Sequence, residues 1–180
     1  GVVAAMGTFF VFSDYMKPAV RIAALMQVPV KFIWTHDAFR VGEDGPTHEP
    51  VEQEAQIRLM EKLKNHAGKD SVRVFRPADA DETTVCWKLA MENVETPTAL
   101  IFSRQGIAKL PEGTDYEQAA KGAYIVAGSD ENPDVILVAS GSEVSTLEAG
   151  CEALRADGIK VRVVSAPSEG LFRGQSKEYQ

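Results

Sequence analysis

The sequence predicts an α/β fold in which parallel sheets are covered on both faces. Three observations carry that expectation. Short apolar runs recur along the chain, stretches with apolar residues at helical spacing lie between them, and glycine, proline or acidic residues mark most junctions. Alternation of this kind leaves each strand buried between helices.

Val2 to Met6 is an apolar run too short to separate strand from helix, and Gly7-Thr8 punctuates it. Phe9, Phe12 and Tyr15 then recur every three residues, so a helix would place them on one face. Pro18 either opens a helix or bends one already running, and Ala19, Ile22, Ala23 and Met26 form its apolar face. Val28 to Trp34 reads as a buried strand. Val51 to Asn65 reads as an amphipathic helix with Val51, Ala55, Leu59 and Leu63 inward, Glu52, Gln53 and Glu54 near its positive end, and Gly68 closing it. Ser71 to Phe75 is a short strand ending at Arg76-Pro77. Asp79 or Asp81 caps a helix that runs to about Glu92. Thr98 to Ser103 is a strand that delivers Arg104 to its C-terminal end.

From Gln105 to Gly122 glycine and proline increase and apolar register is lost, which marks an interdomain linker. Strands at Ala123 to Val126, Val135 to Ala139 and Val161 to Val164 follow, with a helix from about Glu143 to Ala156. Ser142 is its candidate cap and Gly158 lies past its end. The expected organisation is therefore a domain at 1–105, a linker at 106–122 and the start of a second domain at 123–180.

The 180 residues are 44% hydrophobic and 25% charged, a globular balance. A net charge of −7 argues against a sequence-independent nucleic-acid binder, which would need a basic face. No apolar run is long enough to span a bilayer and no signal peptide is apparent. Cys86 and Cys151 lie in helical stretches and read as small buried hydrophobes, so a reducing compartment is expected.

The stretch from Trp34 to His48 concentrates the polar chemistry. It follows an apolar strand, and ligands in α/β sheets bind beyond such strand ends. His36, Asp44 and His48 share a loop shaped by Gly42, Gly45 and Pro46. Three readings stand side by side: a metal site, acid–base work by histidines that titrate near neutrality, or side chains that tie the loop to itself. Histidines twelve residues apart do not match the short ligand pairs of common zinc sites. Arg104 is either an anion clamp or half of an ion pair. Arg40 is a second candidate anion contact and Arg76 looks structural. Gly141-Ser142-Glu143-Val144 either offers backbone N–H groups to an anion or is a plain turn.

Gly7-Thr8-Phe9, Phe12, Tyr15, Thr35-His36-Asp37, Gly42-Glu43-Asp44-Gly45-Pro46-Thr47-His48, Arg76-Pro77-Ala78-Asp79, Ser103-Arg104-Gln105 and Gly141-Ser142-Glu143-Val144 together resemble transketolase in order and spacing. The resemblance spans essentially the whole chain, as the second half of the pyrimidine-binding domain and the opening of the C-terminal domain. It implies three-layer α/β units of the thiamine diphosphate-binding type, the second of them partial. It also implies transfer of a two-carbon ketol unit from a ketose phosphate to an aldose phosphate in the pentose phosphate pathway.

By that resemblance Phe9, Phe12 and Tyr15 grip the aminopyrimidine ring of thiamine diphosphate, with Phe12 as the stacking ring. His36 and Asp44 bind sugar hydroxyls, and His36 and His48 are the catalytic candidates. His48 lies near the reacting carbonyl, and Arg104 holds the sugar phosphate. The implied partners are sugar phosphates and a second subunit in a cytoplasmic homodimer, with no nucleic acid and no membrane. No metal ligand is assigned to this chain; a magnesium or calcium ion is expected on a diphosphate-binding domain outside it. The activating glutamate is likewise expected upstream of Gly1, so the chain is expected to be a fragment, inactive alone.

Ala38-Phe39-Arg40 depart from the small residues common in the family, which implies an altered entrance. The segment from Glu61 to Ser71 is longer than usual and is expected to be a helix end with a surface loop. A deoxyxylulose phosphate synthase, which Thr35-His36-Asp37 disfavours, and a non-catalytic partner subunit are the alternative readings.

Overall fold

The computed structural model describes residues 2–37, 39–128 and 132–180. Ala38 lies outside the described residues, and so does that part of the expected change at the entrance. Gly1, where the first expected domain begins, lies outside them too.

The elements in chain order are β1 (Ala5–Phe9), α1 (Ser13–Met26), β2 (Lys31–Thr35), α2 (Gln53–Glu61), β3 (Arg73–Phe75), α3 (Ala80–Glu92), β4 (Thr98–Ile101), β5 (Tyr124–Ala127), β6 (Val135–Ala139), α4 (Glu143–Ala156), β7 (Val161–Ser165) and α5 (Glu169–Arg173). They fall into two compact units. One comprises Gly1–Phe75 and Trp87–Gly106, the other Arg76–Cys86 and Ile107–Gln180.

The first unit holds a four-stranded parallel sheet in the order β1-β2-β4-β3. β4 is buried at all four positions: Ala99, Leu100 and Ile101 are apolar, and the Thr98 hydroxyl accepts from the Asn93 amide. Phe10, Phe32, Trp34, Ile57, Val74 and Ile101 are fully or almost fully buried in the core around it. Because the strands run the same way, Thr35 at the end of β2 and the residues after β4 emerge at one edge of the sheet. Gly7 lies inside β1 and does not punctuate it; a Cβ there would meet the Ile33 carbonyl at 3.3 Å.

Two helix faces differ from the expected ones. In α1 the buried residues are Ser13, Val20, Ala23 and Ala24, while Ala19, Ile22 and Met26 are exposed. Pro18 sits inside this helix. In α2 the inward residues are Gln53, Ile57, Arg58 and Glu61, and Ala55 and Leu59 face outward, as do the flanking Val51 and Leu63. The reason is backbone demand from β3. Glu61 accepts the Val74 N–H at 3.1 Å and Arg58 donates to the Val74 carbonyl at 3.5 Å, so polar side chains occupy the buried stripe.

In the second unit the sheet order is β5-β7-β6. β6 and β7 are parallel, but β5 runs antiparallel to β7, contrary to an all-parallel expectation. The stretch between β5 and β6 is too short for the helical crossover that would return the chain in the same direction. Leu110, Ala119, Tyr124, Val144, Cys151 and Val163 build its core. Residues 107–122, with a 3₁₀ turn at Tyr116–Lys121, group with this unit, as do residues 76–86.

Asp79 is the cap of α3: its Oδ1 accepts the Glu82 N–H at 2.9 Å. Its other oxygen accepts the Tyr116 hydroxyl at 2.7 Å and the Leu110 N–H at 2.9 Å. Glu82 is fully buried and accepts the Tyr124 hydroxyl at 2.8 Å, the Ser165 hydroxyl at 2.7 Å and the Ala78 N–H. Ser142 occupies the N-cap position of α4, but its side chain makes no capping bond. Cys86 and Cys151 are both buried and neither forms a disulfide. Among the described residues no helix is long and apolar enough to cross a membrane.

Candidate active site

The C-terminal edge of the first unit's sheet gathers the polar residues that follow β2 and β4. β2 ends at Thr35, and His36 takes a left-handed conformation with φ 61°, a rare one for a residue with a side chain. That bend sends the chain into the turn at Phe39–Asp44. Gly42 (φ 76°, ψ −135°) and Gly45 (φ 71°) carry the turn onward, and the His48 N–H donates to the Gly45 carbonyl at 3.0 Å.

This backbone brings residues from four places in the sequence together. The rings of Phe9 and His36 stack with centroids 3.8 Å apart. Phe9 also meets His48 edge-on at 5.6 Å, and Phe12 meets His48 edge-on at 5.3 Å. Phe9 and Phe12 lie nearly parallel at 6.0 Å, and Tyr15 follows at 6.2 Å from Phe12. The three aromatic residues therefore form a row, though across a strand end, a 3₁₀ turn and a helix, and not along one helix. Tyr15 is 82% exposed, so only Phe9 and Phe12 form a sheltered wall.

The charged side chains form a chain beside that wall. His36 Nε2 is 3.5 Å from Asp44 Oδ2, and Arg104 Nε is 2.9 Å from the same oxygen. Arg104 Nη2 reaches Glu43 Oε1 at 2.6 Å. Asp44 Oδ2 is buried, yet among the described residues no donor meets it with hydrogen-bond geometry. Arg104 is thus ion-paired in this structure, and both of its carboxylate partners come from the central loop.

Two threonines tune the histidines. Thr35 Oγ1 lies 3.0 Å from His36 Nδ1, and Thr47 Oγ1 lies 2.8 Å from His48 Nδ1. Fixing one ring nitrogen sets the orientation of the other. The sequence carries a signal for this, since Thr-His occurs twice, at 35–36 and 47–48. Glu43 was legible only as a neighbour of Asp44.

The remaining candidates lie elsewhere or do other work. Arg40 lies in the Phe39–Asp44 turn, partly buried. Arg76 belongs to the second unit, where it is buried, donates to the Ser140 carbonyl at 2.9 Å and pairs with Glu143. A Cβ on Gly141 would meet the Arg76 guanidinium at 2.8 Å. A cation and its carboxylate partner already fill the space over the 141–144 turn, which makes it a poor anion cradle. Among the described residues no group of three or more histidine, cysteine or acidic side chains is placed to hold a metal ion.

Residues 1–109 match the model of the transketolase pyrimidine binding domain, and residues 122–180 match that of the transketolase-like C-terminal domain. The chain belongs to the transketolase family. It is 50% identical to a transketolase of Halalkalibacterium halodurans over 96% of its own length and 25% of the relative's. Identity to the transketolase of Geobacillus stearothermophilus is 48%, over 97% of this chain and 25% of that one. The transketolase of Leishmania mexicana superposes with a TM-score of 0.87 at 39% identity, over 99% of this chain and 25% of that structure. A split-gene transketolase, an inactive β4 tetramer, superposes with a TM-score of 0.73 at 27% identity, over 97% of this chain and 52% of that one. This transketolase-family chain therefore spans about a quarter of the length of the curated relatives it matches.

Proposed function

We propose that this chain is part of a transketolase that moves a two-carbon ketol unit from a ketose phosphate to an aldose phosphate in the pentose phosphate pathway. The observation that carries this reading is Asp44 Oδ2, a buried acceptor without a hydrogen-bond donor among the described residues, flanked by His36 and Arg104. A buried oxygen of this kind is costly unless something donates to it. A polyol donates hydroxyl groups, and its phosphate meets the guanidinium beside them.

Placement supports a role for each residue. His36, held face-on by Phe9, and Asp44 bind sugar hydroxyls. His48, fixed through Nδ1 by Thr47, presents its other nitrogen as a proton donor or acceptor for substrate oxygen. Arg104 exchanges its exposed partner Glu43 for a sugar phosphate; Glu43 is 81% exposed at its side chain, so that pair is weak in water.

The wall of Phe9 and Phe12, with Tyr15 at its open end, suits a flat heterocycle, and thiamine diphosphate is the cofactor this reading assigns. When bound, the cofactor supplies a nucleophilic carbon and an electron sink for carbon–carbon cleavage. The wall's part is to orient the ring and exclude water. The reading also takes a magnesium or calcium ion held by a part of the enzyme other than this chain.

The working enzyme is a cytoplasmic homodimer in this reading, and the chain alone is inactive. Exposed apolar residues on two helices support a covering partner: Ile22, Leu25 and Met26 on α1, and Val51 and Leu59 at α2. The boundaries 1–105, 106–122 and 123–180 belong to the same proposal.

An assay of the full-length enzyme with xylulose 5-phosphate or pyruvate as donor tests the reaction. Turnover of the sugar phosphate alone is expected; use of pyruvate would instead support a deoxyxylulose phosphate synthase. The split-gene relative supports a second reading, a separately encoded partner subunit. Mixing the chain with a supplied N-terminal part decides between them: recovered activity supports the split enzyme, and a complex without activity supports a non-catalytic module.

A further inference from the structure

The first unit has a second polar concavity, at the opposite end of its sheet from the candidate active site. Lys31, Thr98 and Arg73 open β2, β4 and β3 and sit side by side in register. Neighbours in a parallel sheet point to the same face, so the row sets two cations on either side of Thr98. Thr35, at the active-site end of β2, is about 13 Å away along the strand.

Lys31 is 1% exposed and its ammonium donates to the Asn93 carbonyl at 2.8 Å. Burial, with Arg73 nearby adding repulsion, pushes its pKa below the ordinary lysine range. The Asn93 amide in turn donates to the Thr98 hydroxyl at 2.9 Å and the Thr96 carbonyl at 2.9 Å, which fixes this floor. Asn93 and Thr96 line a cavity of about 220 Å³ together with Arg73, Lys64 and Lys69. Among the described residues the Arg73 guanidinium has no hydrogen-bond or ion-pair partner.

The rim is built by the segment between α2 and β3. Lys64 and Asp70 form an antiparallel bridge, and Asn65 Oδ1 accepts the N–H groups of Ala67 and Lys69 at 2.9 and 3.1 Å. Gly68, at φ 76°, turns the tip. The expected surface loop is thus a tied hairpin that holds two lysines at the mouth. Lys64 pairs with Asp70 at 2.6 Å and Lys69 pairs with Glu95, all four side chains well exposed. Such exposed pairs contribute little to stability and yield readily to a better anion.

We propose that this cavity binds a small oxyanion of the phosphate class, gripped by Arg73 and closed over by Lys64 and Lys69. Three lining cations face two lining carboxylates, and Lys31 lies behind the floor, on a chain whose net charge is −7. A guanidinium offers paired donors to such a ligand, and the lysines add point charges. The site is independent of the proposed reaction, because no residue of it belongs to the His36–Arg104 cluster.

The test is calorimetric titration of the full chain with inorganic phosphate at constant ionic strength, with chloride as the matched control. Saturable binding is expected, and it should persist in Arg104→Gln. It should weaken about tenfold in Arg73→Gln and in the Lys64→Gln/Lys69→Gln double variant, the loss of charge-assisted hydrogen bonds. Glu95→Gln frees Lys69 and should tighten binding. Equal binding in the double variant, loss in Arg104→Gln, or an equal response to chloride would each overturn the proposal. Should Arg73→Gln fail to fold, the exposed lysine variant still decides.

Discussion

Arg104 Nε stands 2.9 Å from Asp44 Oδ2, but its N–H is not aimed at that oxygen, so charge and not a directed hydrogen bond holds the pair. To turn toward another anion the guanidinium gives up only its solvent-exposed hydrogen bond to Glu43. In the full-length enzyme Arg104→Ala should raise KM for phosphorylated sugars by about tenfold to a hundredfold, the range of a lost charge-assisted contact. Unphosphorylated donors should keep their KM. An unchanged KM for xylulose 5-phosphate would leave Arg104 as a structural tie between β4 and the loop.

His48→Ala separates chemistry from folding. His48 is partly buried and has edge-on ring contacts with Phe9 and Phe12, so its removal should cost about 1 kcal/mol of unfolding free energy. Turnover of the full-length enzyme should fall by about a hundredfold or more, as for a lost general acid or base. Steady-state kinetics beside urea unfolding make the comparison. Parallel losses in both would assign His48 to loop structure.

Much of this architecture was legible in the residues, because short apolar runs and helix caps are local signals. β6 and α4 lie where their patterns place them, and of the two candidate caps for α3, Asp79 and Asp81, it is Asp79 that accepts the helix N–H. The face of α2 was not legible. Four-residue spacing of Val51, Ala55, Leu59 and Leu63 mimics an inward stripe, while the real one is built from Gln53, Ile57, Arg58 and Glu61; Arg58 and Glu61 meet Val74 on β3 and Gln53 meets Asp14, partners set apart in sequence. The reversed direction of β5 likewise depends on the length of a connection, not on the strand itself. In the candidate site the cluster's residues were readable as residue types. Their pairing was not, since Arg104 meets Glu43 and Asp44 only after two strands have run side by side.

Gly42 is the hinge of that pairing. Its φ of 76° and ψ of −135° suit glycine almost alone, and a Cβ there would stand 3.3 Å from Arg104 Nη1. Gly42→Ala should lower unfolding free energy by about 1–3 kcal/mol, the cost of such backbone strain. It should also raise KM for sugar phosphates, because the added methyl displaces the guanidinium. Gly106→Ala, where a Cβ meets nothing within 4 Å, is the control and should keep wild-type KM.

Glu82 makes stability depend on pH. It is fully buried, and burial pushes its carboxyl above the ordinary value of 4.5 even though three donors favour the charged form. A proton is therefore held more tightly in the folded state than in the unfolded one. The stability Glu82 contributes is full below the unfolded value and is lost as pH rises through the folded one. Lowering pH from 7 toward 5 should raise the unfolding free energy of the parent relative to that of Glu82→Gln, which has no proton to take up. The slope of that difference, from urea unfolding at each pH, is the measurement. A flat difference would mean that the hydroxyls of Tyr124 and Ser165 and the Ala78 N–H offset the burial completely.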